Sequence, residues 1–250
     1  MTDREAVRLA GSGVAERAAD MPQPRLARWR RAGAWLLDLA LPATCVGCGR
    51  EGDPICRACR PALAGREQAP AGIPIGLPSD VPDPLLQLEW CAPFGGVVRR
   101  ALHELKYAGE RRLAEPLGAA IAARWRQTGA GGDVIVHVPV HEDRARERGY
   151  DQAEALARVA ARELRLPHLA ALERGRATVA QFQLGRDRRA ANVAGAFRPA
   201  APAMGRAVAG RWIVLVDDVV TTGATLAACS EALLESGAIG VSAVTVARER

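Results

Sequence analysis

The chain has 250 residues, 49% of them hydrophobic, enough to build one sizeable α/β domain and a smaller module. Its net charge of +6 comes almost wholly from arginine, with Lys106 the one lysine, so the basicity suits anionic small molecules as well as nucleic acid. No stretch approaches the roughly 20 uninterrupted apolar residues of a membrane span, and residues 1–20 alternate charge with alanine and lack the apolar core of a secretory signal; a cytoplasmic protein with no transmembrane segment is expected.

Residues 1–24 carry little organised apolar surface and are expected to form a flexible tail. Arg25 to Leu41 is different: Leu26, Trp29, Trp35, Leu36, Leu37, Leu39 and Leu41 crowd one side of a helix whose other side bears Arg25, Arg28, Arg30 and Arg31. Such a helix suits a membrane surface or packing on its own domain, and the second reading is preferred. After Pro42 come Cys45, Cys48, Cys56 and Cys59, in the spacing C-x2-C-x7-C-x2-C. Two CxxC knuckles supply four thiolates to one tetrahedral Zn²⁺, with Gly47 and Gly49 allowing the tight turns. Disulfides are the alternative, one that a cytoplasmic chain disfavours. Four sulfur ligands leave no open position, so the predicted zinc is structural.

Residues 64–84 are dense in proline and glycine and read as a linker. The first strand is predicted over Leu85–Phe94, followed by helices over Gly95–Tyr107 and Leu113–Trp125 and a strand over Asp133–Val138. Lys106 stands at a helix end, its cation available to an anion. His141 and a basic loop (Arg144, Arg146, Arg148, Gly149) follow the second strand, either as an anion site or as a solvated charge run. A helix is predicted over Tyr150–Leu164. Residues 176–198 are polar and arginine-rich, with one short helix over Gly185–Asn192, and have the character of a lid or binding loop. Ile239–Val246 closes the chain as a buried strand.

The stretch that organises the chain is Arg211–Glu235, RWIVLVDDVVTTGATLAACSEALLE. Trp212–Val216 suits a strand buried on both faces of a parallel sheet. Asp217 and Asp218 follow where that strand is expected to end, then Thr221, Thr222, Gly223, Ala224 and Thr225, then a helix. Polar groups at the carboxyl end of a strand are where open α/β sheets bind ligands. The first amides of a helix cradle phosphate, while two carboxylates suit sugar hydroxyls or hydrated Mg²⁺. The combination describes a phosphorylated ribose. The alternative is a solvated acidic turn; a Walker A loop is excluded.

VLVDDVVTTGATL resembles the phosphoribosyl-pyrophosphate signature of the type I phosphoribosyltransferases. From about Trp35 to Ala247 the chain resembles the ComF family, phosphoribosyltransferase-like proteins with an N-terminal zinc module linked to competence or to use of DNA as a nutrient. The likeness rests on LLDLALPATCVGCG with its second CxxC pair, LKYAGERRLAEPLG, PVHEDRARERGYDQAEALA, Thr178 with Gln181, the run from Arg189 to Phe197, and VLVDDVVTTGATL. Glu142 and Asp143 stand where the family carries a further basic residue, and Tyr150-Asp151 where it commonly shows Phe-Asn. The resemblance implies a mostly parallel α/β sheet flanked by helices, with a small zinc-ribbon module. Composition and motifs together divide the chain into a tail (1–24), helix plus four-cysteine module (25–63), linker (64–84) and phosphoribosyltransferase-like domain (85–250). The resemblance further bears on the residues of the site. It implies that Asp217 and Asp218 bind the ribose hydroxyls and Thr221 to Thr225 the 5′-phosphate. His141, Arg144 and Lys106 would address an Mg²⁺-bridged pyrophosphate, with Arg186, Arg189 and Asn192 closing over it.

Two functions are weighed. One is transfer of phosphoribosyl to a nitrogen nucleophile such as a nucleobase, with release of pyrophosphate. The other is a non-catalytic competence factor that binds single-stranded DNA or docks to a helicase or uptake machinery. No base-recognition pattern is readable in residues 165–185.

Overall fold

The computed structural model describes residues 42–66, 68–70, 81–128, 131–175 and 195–249. The chain divides into two units, Met1–Pro42 and Ala43–Arg250, and apart from Pro42 the described residues belong to the second. The predicted tail and amphipathic helix, the middle of the Pro/Gly stretch, and the segment with Arg186, Arg189 and Asn192 lie outside the described residues.

Two short strands, β1 (Ala43–Thr44) and β2 (Glu51–Gly52), form an antiparallel pair in the cysteine module. Then follow β3 (Leu88–Pro93), α1 (Gly96–His103), α2 (Ala114–Thr128), β4 (Val134–His137), α3 (Glu142–Arg148), α4 (Gln152–Leu164), β5 (His168–Leu169), β6 (Leu172–Arg174), β7 (Phe197–Pro199), α5 (Pro202–Val208), β8 (Trp212–Val220), α6 (Ala224–Glu235) and β9 (Gly240–Arg248). Five strands pair in the order β3-β9-β8-β4-β5, every pair parallel. β6 and β7 form a separate antiparallel ribbon. The expected architecture, a parallel sheet flanked by helices with a small four-cysteine module, is what the chain adopts. Among the described residues no helix is long and apolar enough to cross a membrane.

The alternation of β8 explains the two layers. Val214 and Val216 join a core with α1, α2 and α4, which also takes in Ile55 and Leu63 of the cysteine module. Ile213 and Leu215 face the opposite core, with Val208 of α5 and Leu226, Cys229 and Leu233 of α6. A strand covered on both faces needs an unbroken apolar run, and Ile213 to Val216 supplies one.

Two elements depart from expectation. β8 does not stop before the acidic pair but runs to Val220, because β9 continues beside it, pairing Asp217 with Thr245 and Val219 with Ala247. The residues expected as a basic loop form α3, seven residues long. These are good helix formers. His141 accepts from the Asp143 amide at its start, and Gly149, with φ of 74°, ends it.

A buried ion pair holds the sheet's β3 edge. Arg124 of α2 donates to Glu89 Oε2 from Nη2 and Nε at 2.7 and 3.0 Å, and to the carbonyls of Arg66, Ala69 and Pro70 at 2.6, 2.9 and 3.2 Å. Arg66 stacks on Trp90, 3.8 Å from the ring centroid, and its amide donates to Cys91 O at 3.0 Å. Removing one member of such a pair leaves the other charge buried. Arg124→Leu is therefore expected to cost about 3–5 kcal/mol in urea unfolding, and Glu89→Leu added to it is expected to recover part of that loss.

Candidate functional site

β8 and β9 outrun β4. The last β4 pairing is His137 with Val216, and after the Val138 amide donates to Val216 O at 2.9 Å only β9 accompanies β8. Asp217 and Asp218 therefore straddle an open carboxyl edge, and alternation sends them to opposite faces. Asp218 is 5% exposed on the face of α4. Lys106 Nζ lies 2.6 Å from its Oδ2, and Gln152 Nε2 donates to the same oxygen at 3.4 Å. Asp217 accepts the Asp218 amide at 2.8 Å and faces the α6 side. Burial, then the adjacent Asp218 carboxylate, pushes its carboxyl well above the ordinary range.

Lys106 reaches this edge from a single wide π-helical turn, Glu104–Ala108, that continues α1 and ends at Gly109 with φ of 70°. Such turns re-aim side chains within a helix. On the other side of the acidic pair, Thr221 and Thr222 are exposed and lead to Gly223, whose φ of 83° only glycine adopts readily. A Cβ there would also lie 2.5 Å from Pro82 Cγ. The 12-residue α6 then starts at Ala224 with no side-chain cap and no acid in its first turn. Thr222 Oγ1 accepts from the Ala224 amide at 3.4 Å, and Thr225 is half-buried in the first turn. Positive dipole end, first-turn amides and hydroxyls together suit an anion.

The turn after β4 is organised by Asp151. Its Oδ2 accepts from the Val140 amide at 2.9 Å and its Oδ1 caps α4 through the Glu154 amide at 3.1 Å. His141 Nδ1 accepts from the Asp143 amide at 3.3 Å and lies 3.2 Å from the Asp143 carboxylate. Arg144 is exposed on α3. Of the residues expected around a phosphorylated ribose and its pyrophosphate, Lys106, Asp217, Asp218 and the 221–225 turn are gathered at the end of β8. His141 caps the neighbouring helix α3 and Arg144 lies on it, and Arg186 and Arg189 lie outside the described residues.

The four cysteines converge as expected, their Sγ atoms all within 4.8 Å of one another. Cys48 and Cys56 Sγ are 3.6 Å apart, close to the roughly 3.8 Å that tetrahedral bonds of about 2.3 Å require. Burial raises the Cys45 thiol, but amides outweigh it and lower it to about 6; those of Cys56 and Gly47 point at Sγ from 3.3 and 3.4 Å. Burial and the neighbouring thiols push Cys59 up to about 12. A divalent cation reverses that last effect by taking all four as thiolates. The donor set fits a metal such as Zn²⁺. A separate cavity of about 830 Å³, between this module and α2, is lined by Ile55, Leu63, Pro116 and Ala120 and by none of the acidic-edge residues.

No family model matches the chain. It is 34% identical over 176 residues to the DNA utilization protein YhgH of Escherichia coli K12, covering 68% of this chain and 75% of that one. It is 32% identical over 203 residues to the protein of the same name from Salmonella typhi, covering 75% and 87%. The chain belongs to the ComF family. Among solved structures, a Bacillus subtilis glutamine phosphoribosylpyrophosphate amidotransferase, complexed with ADP and GMP, matches with a TM-score of 0.37 and 22% identity. That match spans 52% of this ComF chain and 25% of the other protein.

Several residues of this ComF protein escaped sequence reasoning. Arg100 of α1 donates to Val46 O at 2.8 Å and Gly47 O at 3.1 Å, clamping the first knuckle. Gln152 and Asp151 carry the contacts just described. His137 Nδ1 lies 3.1 Å from His168 Nε2, and burial, then His137, lowers His168 to about 4. Each pair is distant in sequence, so no local spacing signals it. Asp151 had the one readable cue, an acceptor just ahead of a helix.

Two expectations follow from this geometry. A Cβ on Gly47 would meet Cys59 Sγ at 2.5 Å and Val97 Cγ2 at 3.2 Å, so Gly47→Ala is expected to weaken zinc retention about 10–100-fold, measured by chelator competition. Because the folded-state pKa of Asp217 is raised, its protonated form stabilises the fold below the unfolded carboxyl range, and that contribution is lost as pH rises. Asp217→Asn should therefore raise the unliganded melting temperature at pH 7–8, with the gain shrinking below about pH 4.

Proposed function

We propose that this protein binds phosphoribosyl pyrophosphate with Mg²⁺ at the carboxyl end of β8 and transfers the phosphoribosyl group to a nitrogen nucleophile. The observation that carries this is a buried Asp218, paired with Lys106 at 2.6 Å, next to a helix start turned by Gly223 and flanked by threonine hydroxyls. The 5′-phosphate takes the first amides of α6 and the hydroxyls of Thr221, Thr222 and Thr225. Asp217 and Asp218 accept from the ribose hydroxyls. Lys106 has three N–H donors, so it can hold Asp218 and still address the pyrophosphate, helped by His141 and Arg144 and, in the proposed lid, Arg186 and Arg189. Mg²⁺ supplies neutralising charge on the diphosphate when bound.

In this chemistry the C1–O bond to pyrophosphate breaks as the bond from nitrogen to C1 forms, through an oxocarbenium-like transition state. Carboxylates beside the ring favour that positive charge, and preorganised donors favour the leaving group. Residues 25–63 then act as a zinc-bearing module and 85–250 as the transferase-like domain, in a cytoplasmic protein. The name of the Escherichia coli relative favours a second reading, a DNA-handling factor that binds a single strand or a helicase and retains the pocket without turnover.

Calorimetric titration of phosphoribosyl pyrophosphate tests the first reading. Binding is expected to need Mg²⁺ and to weaken by at least about tenfold in Asp218→Asn, the scale of a lost charge-assisted hydrogen bond. No heat from a folded, zinc-loaded native protein sinks it and favours the second.

A further inference from the structure

Beside the acidic edge stands a group of planar side chains to which the phosphoribosyl reading gives no part. Tyr107, next in sequence to Lys106, is 66% exposed. Its ring lies against the His103 imidazole, with centroids 4.9 Å apart and planes tilted by 47°, and the Arg148 guanidinium lies 5.1 Å from its centroid. The second of the chain's two tyrosines, Tyr150, has the Arg111 guanidinium 4.6 Å from its centroid. Arg111 also donates to Gly149 O at 3.0 Å, joining the two pairs. Both tyrosines are thus matched with arginine, although the sequence shows no interleaving of aromatic residues with arginines.

This group is wired to the pocket at two points. Arg148 Nη1 donates to Gln152 Oε1 at 2.9 Å, and Gln152 Nε2 donates to Asp218 Oδ2 at 3.4 Å. Lys106, adjacent to Tyr107 in the chain, meets the same Asp218 oxygen at 2.6 Å. A single exposed tyrosine is ordinary surface. One whose ring is flanked by a tilted imidazole and by a guanidinium, itself held by a glutamine, is held in a defined orientation. The Tyr150 hydroxyl adds to this: it is buried and has no hydrogen-bond partner among the described residues, so it has donor and acceptor capacity to spare.

Aromatic rings and guanidinium planes are the surfaces on which nucleobases stack, without dependence on sequence. We infer that Tyr107 and Arg148 form a stacking site for a nucleobase whose sugar phosphate occupies the pocket at the end of β8. The site rests on the phosphoribosyl reading of that pocket and names what sits beside it: a planar nitrogen heterocycle, carried by a mononucleotide or by the end of a single strand.

The test compares adenosine 5′-monophosphate with ribose 5-phosphate, which share sugar and phosphate and differ by the base. Both are titrated into the native full-length protein, Tyr107→Ala and Tyr107→Trp. The nucleotide is expected to bind the native protein more tightly than ribose 5-phosphate. Tyr107→Ala should remove about 5- to 150-fold of nucleotide affinity, the equivalent of one stacked base, leave ribose 5-phosphate within about twofold, and be rescued by Tyr107→Trp. Equal affinities for the two ligands in the native protein overturn the stacking site, as does a nucleotide preference that survives Tyr107→Ala. A deoxythymidylate oligomer separates the two sources of the base. If neither small ligand binds but the oligomer does, and needs Tyr107, the sugar phosphate's place at the end of β8 falls and the stacking site stands with a single strand as its ligand; the phosphoribosyl pyrophosphate titration decides that reading separately. If the oligomer also fails to bind, that place and the stacking site both fall.

Discussion

The pairing of β8 with β9, unbroken from Trp212 opposite Gly240 to Val220 opposite Arg248, is the constraint on which the candidate site depends. A β-ladder fixes backbone direction residue by residue, so once β9 accompanies β8 past the end of β4, Asp217 and Asp218 inherit the alternation of the apolar run before them. One carboxylate is delivered to the α4 side and the other to the α6 side without any specialised loop. β4 stops four residues earlier than β8 does, and the acids are left at an edge with β9 on one side and no paired strand on the other. The helix start at Ala224 then follows within one tight turn. Edge, turn and helix start are consequences of one register.

That geometry stores unfavourable electrostatics. Two carboxylates lie at consecutive positions, one buried with a lysine and the other with its own neighbour's amide for company. Proteins keep such arrangements where a ligand or cation relieves them, and pay in unliganded stability. The cysteine module shows the same economy of means. Arg100 holds the Val46 and Gly47 carbonyls while the knuckle amides aim at Cys45 Sγ, so the four thiols are gathered by α1 and by their own turns.

Much of the fold was legible because its signals are local. Trp212–Val216 reads as a doubly covered strand, Thr221 to Thr225 as the polar run ahead of a helix, and Tyr150–Leu164 as a helix, observed from Gln152. The paired CxxC spacing announced a thiol cluster, and the structure gathers it. What stayed hidden depends on partners far along the chain. Arg124 meets Glu89 across 35 positions and Gln152 meets Asp218 across 66, distances at which no spacing rule operates. The continuation of β8 through two aspartates was missed for a related reason: acidic residues disfavour strands locally, and only the neighbouring strand overrides them. The run after His141 looked like a loop because it is charged throughout. It forms a helix because those charges are also good helix formers, held between a capping His141 and a left-handed Gly149. The aromatic–arginine pairs were invisible because Tyr107 and Arg148 come from different elements.

The Arg124 network has a bearing on how the molecule behaves in a crowd of its own copies. A parallel sheet has two exposed rims, and an unguarded rim offers a ready template for another chain's strand. Here the β5 rim is only two residues long. Along β3, the Arg66 amide already occupies the Cys91 carbonyl, and Arg124 grips the backbone that follows, at the Arg66, Ala69 and Pro70 carbonyls. A carboxylate, Glu89, sits within the strand itself, fully buried and paired with the same Arg124. The ion pair that looks like internal scaffolding thus also keeps the sheet a closed unit of five strands.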